Sequence, residues 1–230
     1  MKMTMSIVQQ KICSRDFSYL QPYFYNNPHA LRCELGQGDD HEAYMAAALG
    51  RALEIYDILF PNGADAIFFN FWLHDFCDTG PAEQDSYEET MEEAIGYTLE
   101  FETKKLRFLL ENQFRYRHVT VRDLPTYDEP GDPDYGLNRR CRVVCFSDGR
   151  GFDHETLLKS EIFWEGCEVS FVSFENECIY SVYDDRGCDV VFMTHEKLRE
   201  FYRKLQPYFL DYDREEMERR FQASQRENNP

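Results

Sequence analysis

The chain reads as an α+β protein: a mixed or antiparallel sheet with helices packed on it, and a C-terminal β-hairpin followed by two helices. Three observations predict this. Residues 66–73 are apolar and aromatic throughout except for Asn70, as expected of a strand covered on both faces. Residues 178–183 and 188–193 are two β-rich runs separated by Asp184-Asp185-Arg186-Gly187, a hairpin signal in which Gly187 can supply a positive φ. Met45, Leu49, Leu53, Tyr56 and Leu59 recur at helical spacing between Asp40 and Phe60.

The remaining elements follow in chain order. Residues 16–25 read as a short aromatic helix and 30–35 as a strand. Asp40 can cap the helix over 40–60, and Pro61-Asn62-Gly63 stops it. Ser86 with Glu89 forms a capping box, and Tyr87, Met91, Ile95, Leu99, Leu106 and Leu110 continue at helical spacing to about Gln113. Such a helix would be about 40 Å long at 1.5 Å per residue. Further on, residues 142–146 read as a strand, and Asp148-Gly149 turns the chain. Asp153 caps a short helix to Phe163, residues 168–174 form a strand, and Asn176-Glu177 turns into the hairpin. Thr194 caps a helix over 196–205, and Asp213 with Glu216 opens the last one.

Pro125, Pro130, Gly131, Pro133 and Gly136 stand among acids in residues 124–136, a loop by composition. It separates an N-terminal α/β half with an acidic helix (1–123) from a C-terminal α+β half with the hairpin and terminal helices (137–230). At 230 residues the chain is long enough to bury a core without disulfides.

Charge is distributed unevenly. Against 25 basic residues stand 43 acidic ones, a net −18 at pH 7. Residues 52–103 hold thirteen acids and no Lys or Arg, whereas residues 104–122 hold six bases and the single acid Glu111. A charge of that sign repels phosphate backbones, so direct nucleic-acid binding is not expected. No apolar run approaches the roughly 20 residues of a membrane helix, and the start lacks the continuous apolar stretch of a secretory signal. A cytoplasmic location with its eight cysteines reduced is therefore expected.

Catalytic motifs are absent: there is no G-x-S-x-G elbow, no P-loop and no G-x-G-x-x-G. His74, Asp75, Cys77 and Asp78 cluster where the 66–73 strand ends, but zinc would need two further ligands and no matching pair stands elsewhere. Cys141 and Cys145 would lie about 13 Å apart along a strand, too far to share an ion. Asp148-Gly149-Arg150-Gly151-Phe152-Asp153 is explained by a turn and a helix cap without an anion. The six histidines form no close pair in sequence. No metal or cofactor is expected.

The hairpin string Ile179-Tyr180-Ser181-Val182-Tyr183-Asp184-Asp185-Arg186-Gly187-Cys188-Asp189-Val190 and the tail Leu210-Asp211-Tyr212-Asp213-Arg214-Glu215-Glu216 together resemble an uncharacterised bacterial family, domain of unknown function 3885. Near the other end, Phe24-Tyr25-Asn26-Asn27-Pro28 followed by Leu31-Arg32-Cys33-Glu34-Leu35-Gly36 is similar to that family's beginning. The acidic stretch around 78–93 and the Pro-rich loop match nothing in its pattern. The resemblance implies no catalytic residues. It implies a small cytoplasmic accessory protein, of a kind that often neutralises a toxin or a defence enzyme.

Two surfaces stand out for binding. The first is Asp75, Asp78, Glu83, Asp85, Glu88, Glu89, Glu92 and Glu93, with Trp72 and Tyr87 as aromatic anchors. The second is an exposed hairpin tip of Asp184, Asp185 and Arg186, although Asp also favours turns by bonding its own backbone and can hold Arg186 beside it. The expected function is an acidic, non-enzymatic inhibitor that occupies a basic site on a protein partner, such as a toxin nuclease or a nucleic-acid-handling defence enzyme, by mimicking nucleic-acid charge. One alternative is a metal-dependent hydrolase of phosphoryl substrates built on Asp75, Asp78, Asp184 and Asp185. Another is a scaffold or homo-oligomer whose aromatic surplus is core and subunit contact.

Overall fold

A computed structural model describes residues 23–74, 116–124, 138–147, 151–163 and 169–226. Among these residues seven strands, β1 (Ala30–Glu34), β2 (Ala66–His74), β3 (Tyr116–Leu124), β4 (Asn138–Ser147), β5 (Val169–Ser173), β6 (Cys178–Asp184) and β7 (Gly187–Phe192), form one sheet in the order β1-β7-β6-β5-β2-β4-β3. Every neighbouring pair is antiparallel. Among the described residues, helices α1 (Tyr23–Asn26), α2 (His41–Leu59), α3 (His154–Ile162), α4 (His195–Leu205) and α5 (Arg214–Arg226) accompany the sheet in an α+β fold. The sheet runs through both sequence halves, since β1 pairs with β7 and β2 with both β4 and β5. No helix among the described residues is long and apolar enough to cross a membrane.

Local chemistry accounts for most boundaries. The side chain of Asp40 accepts from the Ala43 amide at 3.0 Å, that of Asp153 from Thr156 at 3.2 Å, and that of Thr194 from Lys197 at 3.3 Å, starting α2, α3 and α4. α2 ends at Phe60, and Gly63 at φ 81° carries the chain toward β2. Strand β2 lies between β4 and β5, the interior place its apolar composition predicts.

The buried face of α2 differs from the expected leucine stripe. Its centre is Ala48 and Ala52 beside Met45, Ile55, Tyr56 and Leu59, while Leu49 and Leu53 sit partly buried at its flank. Small side chains let the helix backbone approach the sheet, and the Tyr180 hydroxyl of β6 donates to the Ala52 carbonyl at 3.0 Å. Beside the alanines, the buried Ile55 and Leu59 each contribute about 1.5–3 kcal/mol.

Strand β3 departs from the sequence reading, which placed no element there. Among the described strands it pairs with β4 alone and stands last in the sheet order, an edge position there. An edge strand has one bonded neighbour and can carry Arg117, His118, Arg122 and Asp123 without the apolar run that announces an interior strand. The capping box at Ser86, the helix to Gln113 and the loop from Pro125 to Gly136 lie outside the described residues.

On β5, β6 and β7 both faces are buried. Cross-strand register then sorts the residues. Arg32 stands opposite Asp189, Asp189 opposite Ser181, and Ser181 opposite Ser170, a polar row across one face. Cys33, Cys188, Tyr180 and Phe171 fall on the other face, toward α2.

Candidate functional site

The polar row begins with a buried ion pair. Arg32 donates from Nε to Asp189 Oδ1 at 2.8 Å and from Nη2 to Oδ2 at 3.1 Å, and the amide of Phe24 in α1 donates to the same Oδ2 at 3.0 Å. Residues 8% and 2% exposed could not be left charged without such partners. The third nitrogen, Nη1, lies 3.7 Å from Asp213 Oδ2, just ahead of α5, and Asp213 also accepts from the Tyr25 hydroxyl at 3.0 Å. The rings of Phe24, Tyr25 and Tyr183 surround the guanidinium, their centroids 5.3, 4.8 and 5.3 Å from its carbon. Burial works against the charge on Arg32, but the bonds and charge of Asp189 outweigh it and hold the proton more firmly than usual.

Above this pair opens a cleft of about 750 Å³. Its lining includes Tyr23, Glu34, Tyr44, Tyr183, Asp184 and Arg186, with Ser181 among the remaining residues. Two glycines set its aromatic walls. A β-carbon on Gly36 would stand 1.9 Å from Cζ of Tyr44, and one on Gly187 would stand 2.1 Å from the hydroxyl of Tyr183, so each ring occupies space that only glycine leaves. Adjacent residues of a strand normally face opposite ways, yet Tyr183 and Asp184 both line the cleft. The pairing of β6 with β7 shifts between Val182 and Asp184, the kind of irregularity that re-aims a side chain.

The hairpin tip is therefore not as expected. Gly187 does not take a positive φ; close packing against Tyr183 and the Cys33 carbonyl is what requires glycine there. Asp184 is buried rather than exposed at the tip. Its Oδ1 accepts from the Arg186 amide at 2.8 Å and its Oδ2 from Arg186 Nε at 2.8 Å and from Nη2. Both carboxylate oxygens are thus engaged locally, which leaves the Arg186 side chain 72% exposed at the cleft rim. Burial, then the charges of Asp185 and Asp184, raise the phenol of Tyr44 above its ordinary range. Burial likewise raises that of Tyr183. Both rings remain neutral hydrogen-bonding groups at any physiological pH.

Of the acidic surface read from the sequence, Trp72 lies on β2 with its backbone opposite Arg140 of β4. Asp75, Asp78, Glu83, Asp85, Tyr87, Glu88, Glu89, Glu92 and Glu93 lie outside the described residues, as does Cys77. Sequence reasoning proposed none of Arg32, Asp189, Glu34, Tyr44 and Tyr183 as site residues, although all but Tyr44 stand in the strings that resemble the family. A usable signal existed for two of them: Arg32 and Asp189 each interrupt an apolar strand run, and a charge in such a place needs a partner. The rings of His29 and His195, 166 positions apart, meet with centroids 4.0 Å apart and planes tilted by 58°, a pairing invisible to sequence spacing. Among the described residues no three His, Cys, Asp or Glu side chains gather closely enough to hold a metal ion.

One protein-family model, described as Domain of unknown function (DUF3885), matches residues 10–213. No curated protein and no solved structure matches the chain.

Proposed function

The chain belongs to the DUF3885 family, a domain of unknown function, and on that premise we propose that it is a non-enzymatic cytoplasmic binding protein that occupies a basic site on a protein partner. The acidic residues take the part of nucleic-acid charge, and the partner is a toxin nuclease or another nucleic-acid-handling enzyme. One observation carries the reading: a cleft walled by Tyr44 and Tyr183 and bordered by the carboxylate of Glu34, on a chain of net charge −18. Carboxylates steer a cationic partner into encounter, and rigid aromatic side chains supply desolvated anchors.

The hydrolase alternative draws less support, because Asp184 would have to give up both sets of bonds to Arg186 before it could ligate a metal ion. The test is charge reversal at Glu88, Glu89, Glu92 and Glu93 to Lys. Immobilised wild-type protein should retain a basic protein from host extract, in a manner weakened by salt, and the reversed variant should lose it while keeping its circular-dichroism spectrum and unfolding midpoint. Equal retention by both proteins would overturn the reading.

A further inference from the structure

Resting on that reading of a basic partner, we infer that the cleft beside β1 and β6 is the seat of one arginine side chain of the partner. Its volume, about 750 Å³, falls within the range of small-ligand pockets and exceeds what a guanidinium and its stem require. The aromatic walls are built in advance, because Tyr44 and Tyr183 rest on glycines rather than on displaceable side chains.

The charges of the cleft specify the ligand's sign. Arg32 is matched by Asp189 and Arg186 by Asp184. Glu34 is left over. Its backbone carbonyl accepts from Arg51 Nε at 2.9 Å, but its carboxylate is engaged by none of the described residues. An anion would meet that carboxylate, and an apolar side chain would desolvate it without replacing its bonds to water. A cation satisfies it.

Geometry favours guanidinium over ammonium. A guanidinium is planar, weakly hydrated, stacks on an aromatic face and pairs with a carboxylate through two parallel bonds. The chain's own arginines already show this site's chemistry, since Arg32 combines a bidentate carboxylate with the ring of Tyr183, and Arg186 clasps Asp184. The partner's arginine repeats that arrangement with Glu34 and Tyr44.

The experiment titrates the full chain with acetyl-arginine N-methylamide, followed by ¹H–¹⁵N NMR, beside the lysine and norleucine analogues. Saturable binding of the arginine amide, with shifts at the amides of Gly36 and Gly187, is expected. The lysine analogue should bind more weakly and norleucine not measurably. Glu34→Gln should weaken arginine binding about tenfold or more, since a bond to a charged group is lost. Tyr44→Leu should also weaken it. Equal affinity in wild type and Glu34→Gln, or shifts confined to another part of the chain, overturns the inference. The variant reversed at Glu88, Glu89, Glu92 and Glu93 separates the two ideas: its cleft should still take the arginine amide even where partner capture is lost. If Glu34→Gln captures the partner as well as wild type does, the cleft assignment fails while the broader reading stands.

Discussion

Gly187 and Tyr183 are packed so closely that a β-carbon on the glycine would lie 2.1 Å from the tyrosine hydroxyl and 2.7 Å from Cζ of the same ring. The Cys33 carbonyl, also at 2.7 Å, closes the other side, and as backbone it cannot swing away. Gly187→Ala should therefore destabilise the protein by about 1–3 kcal/mol. The measurement is urea unfolding, read as a fall in midpoint at constant slope. Gly36→Ala makes a useful contrast, because the nearest atoms its β-carbon meets all belong to the far end of the Tyr44 side chain. Its effect on stability should be smaller, while its effect on arginine-amide binding should be comparable.

Removing one member of the Arg32–Asp189 pair leaves the other charged and buried. Asp189→Asn, or Asp189→Ala, should cost about 3–5 kcal/mol by chemical denaturation. Replacing both members with apolar residues, Arg32→Met with Asp189→Leu, should recover much of that loss. If the double replacement proved as unstable as the single one, the cost would belong to the lost bond to the Phe24 amide or to buried Asp213, which also loses Arg32, rather than to the stranded member of the pair.

Acid should loosen α5. Arg220, and then Arg219, hold the Glu216 carboxyl below its ordinary value of 4.5. A depressed carboxyl contributes stability that is complete above the unfolded value and is lost as pH falls through the lower folded value. Arg220 also donates to the carbonyls of Phe24 and Asn27, each at 2.9 Å, so α1 should loosen with it. Glu216→Gln should flatten the acid limb of the stability–pH curve. Asp65 has the opposite sign: burial raises its carboxyl, so its contribution grows more favourable as pH falls, and Asp65→Asn should steepen that limb.

Four described cysteines, Cys33, Cys145, Cys178 and Cys188, are buried as free thiols. Burial pushes the Cys145 thiol up to about 12 and raises that of Cys178 too. At pH 8 none of the four should react with a thiol reagent in the native protein, and all should do so in denaturant, as read by peptide mapping. Prompt native labelling of Cys33 or Cys188 would mean that β1 detaches from β7.

Much of the fold is legible locally. Asp40, Asp153 and Thr194 cap helices because each side chain meets an amide three residues on, and the apolar run of β2 marks an interior strand because both its faces must be covered. The family, too, is legible: strings near both ends of the chain resemble it, and its model matches residues 10–213. Strand β3 escaped notice because an edge position asks little of its side chains, and the candidate cleft escaped because its parts are distant in sequence. Arg32 and Asp189 are 157 residues apart, and Tyr25 and Asp213 are 188 apart. Composition and spacing report what a segment prefers over a turn or two of helix. Which charge meets which, whether Asp184 is exposed or buried, and why position 187 must be glycine are decided by strand register and packing, which exist only once the sheet has formed.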